Sequence, residues 1–142
     1  MRPVLLDSSV YIGALREGDE FLHALKGQFS RARLWLSAVV LEELYAGASR
    51  GDRRIIERLE REFDRVGRIL VPSLSDWVRV GKLLAQVAAH YGYEPIGQAR
   101  LTNDALIAIS AARHGVTVVT SNQRDFARLA RFTPFQYEVN SL

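Results

Sequence analysis

The chain has 142 residues, 48% of them hydrophobic and 25% charged, with a net charge of +3 and no cysteine. That length and a uniform composition predict one domain over residues 1–142, read as α/β from the alternation of strand and helix patterns along it, and the missing cysteines exclude a disulfide framework, a thiolate zinc site and a cysteine nucleophile. The apolar runs fall far short of the roughly 20 residues that cross a bilayer, and the N-terminus has no signal-type segment, so a cytoplasmic protein is expected.

Short apolar runs alternate with longer stretches of helical periodicity, the pattern of strand-helix units around a parallel sheet. In chain order, a strand is predicted at Pro3 to Leu6, helices at Ser8 to Leu15 and Glu20 to Phe29, and a second strand at Arg33 to Leu36. Ser37 is placed to cap a helix over Ala38 to Ala48, and Gly47 and Gly51 fit its end. Asp52 to Val66 reads as an amphipathic helix with Ile55, Ile56, Leu59, Phe63 and Val66 on one side. A third strand at Ile69 to Val71 precedes a helix capped by Ser73 or Ser75 and running to about Tyr91, then a loop from Gly92 to Gly97. Asn103 to His114 is apolar nearly all round, which marks a helix buried at the centre of the domain. Val116 to Val119 and a weaker Phe135 to Val139 complete the strands.

Four acids stand against or just beyond apolar runs. Asp7 ends the first strand, Glu43 lies inside its helix, Asp104 opens the buried helix and Asp125 follows the fourth strand. Sites on parallel sheets form beyond the carboxyl ends of the strands, and Asp7, Asp104 and the Thr120-Ser121-Asn122 segment can all reach that edge. Glu43 shares a helical face with Val40 and Gly47, whereas Glu42 points about one hundred degrees away, so Glu43 is expected to look inward. Each acid also has a structural alternative: a helix cap for Asp7 and Asp125, the positive end of its own helix for Asp104, an arginine partner for Glu43. Clustered carboxylates repel unless a cation holds them, and hard ions such as Mg²⁺ or Mn²⁺ suit an all-oxygen set and leave positions open for phosphate. Such a site can hydrolyse phosphodiesters without a serine or histidine nucleophile. His23, His90 and His114 have no ligand spacing and are read as incidental. Of the 19 cationic residues, 17 are arginine, whose fork suits phosphate oxygens, although so mild a charge balance does not decide for nucleic acid.

The runs Leu5-Leu6-Asp7-Ser8-Ser9-Val10, Ser37 with Glu43-Leu44-Tyr45-Ala46-Gly47, Asn103-Asp104-Ala105-Leu106-Ile107-Ala108 and Val118-Val119-Thr120-Ser121-Asn122-Gln123-Arg124-Asp125-Phe126 occur in an order that resembles the PIN-domain family. Within it, the chain resembles the VapC-type toxins of toxin-antitoxin pairs. The resemblance implies a three-layer α/β/α PIN-like fold with a short, mostly parallel central sheet. It implies a Mg²⁺- or Mn²⁺-dependent endoribonuclease, with Asp7, Glu43, Asp104 and Asp125 as catalytic acids, of which Asp7 and Asp104 hold the metal. Ser8, Ser9, Thr120 and Asn122 correspond to supporting polar positions. The family's fourth acid often falls where this chain has Asn122, so Asn122 and Asp125 share that position. The partners implied are an RNA substrate, a VapB-type antitoxin and a second copy in a homodimer. The antitoxin is expected near the Ser8 to Leu15 and Ala38 to Ala48 helices, with Tyr11, Trp35 and Tyr45 either as anchors or as core residues. The competing expectation is a non-catalytic PIN-like module that binds RNA or a partner. A nucleotide-binding or receiver-like domain is disfavoured, since there is no Gly-rich dinucleotide fingerprint or Walker-type loop.

Overall fold

The computed structural model of the protein describes residues 1–93 and 99–140; the 94–97 part of the expected loop lies outside them. In chain order the elements are β1 (Arg2–Leu6), α1 (Ser8–Glu17), α2 (Asp19–Gln28), β2 (Ala32–Ser37), α3 (Ala38–Ala46), α4 (Arg50–Arg65), β3 (Ile69–Leu70), α5 (Leu74–Tyr91), α6 (Ala99–Arg113), β4 (Thr117–Thr120), α7 (Gln123–Ala130) and β5 (Tyr137–Val139). Among the described residues the five strands form one sheet in the order β3-β2-β1-β4-β5, and every neighbouring pair is parallel. This is the three-layer α/β/α arrangement expected, with an all-parallel sheet rather than a mostly parallel one. No helix among the described residues is long and apolar enough to cross a membrane.

The order has a functional consequence. The chain builds outward from β1 through β2 to β3, then returns to lay β4 against the other side of β1, with β5 beyond it. The winding therefore reverses between β1 and β4, and at such a switch point the loops after the two strands part and leave a crevice. Val4, Leu5 and Leu6 in β1 and Thr117 to Thr120 in β4 are all buried, as central parallel strands covered on both faces require.

Two apolar clusters flank this frame, and α6 belongs to both. Ile107, Ala108 and Ala111 join the cluster built on β1, α1, α3 and α4, whereas Leu101, Ala105, Leu106 and Ile109 pack with Val80, Leu83 and Val87 of α5. A helix with neighbours on every side must be apolar all round. Between Ala105 and Ala112 the one polar residue, Ser110, satisfies its hydroxyl by donating to Leu106 O at 2.6 Å.

Helix ends are set by local chemistry. Ser37 accepts from Val39 N, and Ser73 forms a capping box with Asp76. Gly51 lies in the first turn of α4 rather than at the end of α3, because Ser49 caps α4 by accepting from Asp52 N. The two helices that deliver the chain to β3 and β4 end alike. Gly67 N bonds Asp64 O and Arg68 N bonds Phe63 O; Gly115 N bonds Ala112 O and Val116 N bonds Ala111 O. Both are Schellman closures, and Gly67 at φ 68° and Gly115 at φ 67° take the left-handed position that a side chain would strain.

One buried ion pair locks α5 to α6. Asp76 is fully buried and accepts from Arg113 Nε at 2.9 Å and Nη2 at 2.9 Å. Burial alone would raise the Asp76 carboxyl, but the Arg113 bonds and the Ser73 cap outweigh it and hold it below the usual carboxylate range. The pair's stabilisation is therefore present above that range and is lost as pH falls through the lowered value. An unpaired carboxylate in this position would cost about 3 kcal/mol.

Candidate active site

Asp7 stands at the switch point, where the sheet order calls for a crevice. Leu6 lies opposite Val119 in the sheet, and the Asp7 N–H donates to Val119 O at 2.8 Å, which carries the pairing one residue past the strand end. Asp7 then turns the chain into α1 as its N-cap, so the capping alternative holds. Its Oδ1 accepts from Ser8 N at 2.7 Å, and its Oδ2 accepts from Ser9 Oγ and Thr120 Oγ1, both at 2.8 Å. Only 2% of Asp7 is exposed. The hydroxyls extend the network into the loop after β4: Ser121 N donates to Ser9 Oγ at 3.0 Å, and Asn122 N donates to Thr120 Oγ1 at 2.8 Å.

Glu43 faces the same place from α3, half-buried, while Glu42 is exposed, as the helical phase requires. Burial first, and then the negative charge of Asp7, raise the Glu43 carboxyl above the ordinary carboxylate range. Ser8 and Asn103 side chains pull it back in part, and Glu42 adds to the rise. Its Oε1 is buried with no hydrogen-bond partner. Among the described residues Glu43 makes no ion pair, so the arginine alternative does not hold.

Asp104 is 3% exposed. The structure starts α6 at Ala99, not Asn103, so Asp104 sits in the second turn and the helix N-terminus does not account for its burial. Asn103, beside it, reaches Glu43 and joins the site; its position next to Asp104 is the sequence signal that points to it.

Asp125 is not a helix cap. The cap of α7 is Asn122, and Asp125 stands in the first turn, where its Oδ2 accepts from Asn122 Nδ2 at 2.9 Å. The two claimants to the fourth position are thus bonded to each other. Asn122 is tied to Asp7 through Thr120, and Asp125 one step further away through Asn122.

The donor set is all oxygen, the preference of hard divalent ions. Among the described residues no group of three acids or histidines stands in a metal-holding arrangement. What fits a cation is narrower: an unsatisfied Glu43 oxygen whose proton affinity is raised first by burial and then by the charge of Asp7. A positive ion relieves both burdens. The histidines lie elsewhere; His114 Nδ1 is 3.0 Å from Ser110 O, and His90 meets Tyr91 edge to face.

A family model for the PIN domain matches residues 4–132. The chain belongs to the PIN domain family. Solved structures similar to this PIN domain include a chain of the DNA-bound VapBC from Salmonella typhimurium, at 23% identity and a TM-score of 0.69, covering 98% of both chains. Others are VapBC2 from Rickettsia felis bound to a promoter DNA fragment, at 22% identity, TM-score 0.63 and 97% and 98% coverage, and VapBC-1 from nontypeable Haemophilus influenzae, at 21% identity, TM-score 0.62 and 96% of both chains. No curated protein matches by sequence.

Proposed function

We propose that this PIN domain is a metal-dependent endoribonuclease and the toxin of a VapBC-type pair. The observation that carries the reading is the Glu43 carboxylate, buried against Asp7 with an oxygen left unsatisfied. Holding two carboxylates so is costly in an empty crevice and useful around a cation. Asp7 and Glu43 are the pair that would hold Mg²⁺ or Mn²⁺, with Asp104 brought to it by the family resemblance alone. When bound, such an ion polarises a phosphoryl oxygen and lowers the pKa of water.

The chain's own part is orientation. Ser8 N, Ser9 Oγ and Thr120 Oγ1 fix both oxygens of Asp7, so its carboxylate does not rotate when substrate enters. Asn122, with Nδ2 committed to Asp125, presents its carbonyl oxygen in a set direction, suited to a water or a ribose hydroxyl. The test is direct. Purified protein with Mn²⁺ is expected to cut single-stranded RNA into discrete fragments and to stop in excess EDTA. Cleavage that continues in EDTA sinks the metal reading, and RNA bound but left intact with Mn²⁺ favours the non-cutting module.

For the antitoxin, expected near the Ser8 to Leu15 and Ala38 to Ala48 helices, the hollows that favour it lie instead between α2 and α4. A cavity of about 370 Å³ and a neighbouring one of about 230 Å³ lie between α2 and α4, and both are lined by Tyr11, Leu22 and Leu59. Lys26 Nζ bridges them to Glu62 at 3.2 Å. Apolar side chains of an antitoxin tail would fill these hollows. Of the three aromatics expected as anchors, Tyr11 is buried in their wall, Trp35 is half-buried against His114, and Tyr45 is tied to Glu60 at 2.6 Å, which pushes its hydroxyl up to about 12. For the homodimer, the surface favoured is the stripe Leu74, Trp77 and Val78 on α5, exposed by 81%, 53% and 49%. The two faces separate by mutation: Leu59→Asp is expected to lose antitoxin in co-purification and keep self-association in sedimentation, and Trp77→Asp to do the reverse. Identical behaviour of both variants in both assays would remove this assignment.

A further inference from the structure

We infer that α7 is a rail for the single-stranded RNA substrate, holding phosphates on Arg124, Arg128 and Arg131 and a base against the rings of His90, Tyr91 and Phe132. This rests on the nuclease reading above. The residues are outside the acidic crevice, yet the same helix begins at it: Asn122 caps α7 and Asp125 is in its first turn.

Arg124, Arg128 and Arg131 recur at the four- and three-residue spacing that places them on one side of α7, while Phe126 and Leu129 are buried on the other. The stripe spans about 10 Å from first to last. Among the described residues none of the three forms an ion pair, so their charge is not neutralised by a carboxylate. Arginine forks that have no acid partner and stand in a row beside a phosphodiester site suit successive phosphates.

The stripe ends on an aromatic cluster at the edge of the α5–α6 core, where Tyr91 and Phe132 are half-buried. His90 is exposed, and its ring meets Tyr91 edge-on at 4.5 Å and Phe132 at 5.6 Å; Tyr91 and Phe132 stand 6.2 Å apart. The Arg128 guanidinium lies 5.3 Å from the Tyr91 ring centre, and Arg131 Nη1 is 3.5 Å from the Tyr91 hydroxyl. Partly exposed rings interleaved with arginines that have no acid partner are how proteins hold unstacked bases and the strand that carries them. The rings accept any base by its π-face, so this contact contributes affinity rather than sequence choice.

The test uses fluorescein-labelled single-stranded RNA and the full chain. In anisotropy titrations on an Asp7→Asn background, adding Arg128→Ala and Arg131→Ala is expected to weaken binding about tenfold or more. It should also flatten the plot of log affinity against log salt by about 1.4, at about 0.7 per phosphate contact. Tyr91→Ala is expected to weaken binding at least about fivefold with the salt slope unchanged. Arg128→Lys with Arg131→Lys should restore the slope, which a purely structural loss would not do. In the cleavage-competent chain the double alanine variant should raise KM and leave kcat unchanged. If the wild-type chain cleaves RNA but the double variant keeps its KM and salt slope, the rail is wrong and the nuclease reading stands. If the wild-type chain binds this RNA and never cleaves it, the nuclease reading fails on its own.

Discussion

Asp7→Asn is expected to lower RNA cleavage at least about a thousandfold while leaving the fold intact. The two halves of that expectation come from different bonds. Asparagine has the shape of aspartate and keeps one oxygen to accept from Ser8 N at the start of α1. Its amide replaces the oxygen that takes the Ser9 and Thr120 hydroxyls, and both hydroxyls can turn to accept instead. The structural cost is then about 1 kcal/mol. The charge, however, is gone, and with it the negative end of the crevice that would draw and hold a divalent ion. Single-turnover cleavage in Mn²⁺, read beside a melting curve, separates the two: a variant that melts near wild type and still cuts at full rate removes Asp7 from the chemistry.

Glu43→Gln carries the second large effect, in opposite directions for stability and activity. Burial and the charge of Asp7 raise the Glu43 carboxyl in the folded chain, so the folded state holds the proton more tightly than the unfolded one. The stability that this contributes is complete below the ordinary carboxylate range and is lost as pH rises through the raised value. At neutral pH without metal the ionised group is therefore a burden, and glutamine removes it. The variant is expected to melt about 3 °C higher than wild type in EDTA at neutral pH, with the difference gone under acid conditions. Adding Mn²⁺ should reverse the ranking. At a hundred times its dissociation constant the ion would stabilise wild type by about 2.7 kcal/mol, and glutamine, lacking the charge, would gain much less. Cleavage by wild type should rise with pH through the same raised value, and the variant should lose that limb together with its activity. A glutamine variant less stable than wild type in EDTA would mean that Glu43 is satisfied in the folded chain and does not wait for a cation.

Much of the fold is readable in the sequence because a parallel sheet covered on both faces writes its strands as unbroken apolar runs. Val4-Leu5-Leu6 and Val116 to Val119 are such runs, and the chain pairs them side by side. Helical phase was enough to choose Glu43 over Glu42. The start of α6 was not readable, because Ala99 to Thr102 holds one apolar anchor, Leu101, and that residue finds its burial against α5, a contact no local pattern records. The Asp76 to Arg113 pair was hidden for the same reason: its members are 37 residues apart, and each alone reads as an exposed charge. The Asn122 to Asp125 bond turned a choice between two residues into a connected pair, which spacing could suggest but only coordinates could show.

The bond from Thr120 to Asp7 spans 113 residues of chain. During synthesis Asp7 leaves the ribosome early and waits without the strand that completes its surroundings, because β4 follows every helix from α1 to α6. A growing chain, or one cut short before Thr120, therefore holds most of the acids in sequence but not the crevice. If the chain cuts RNA as proposed, that order of assembly would keep the nascent chain inactive beside the message it is being read from.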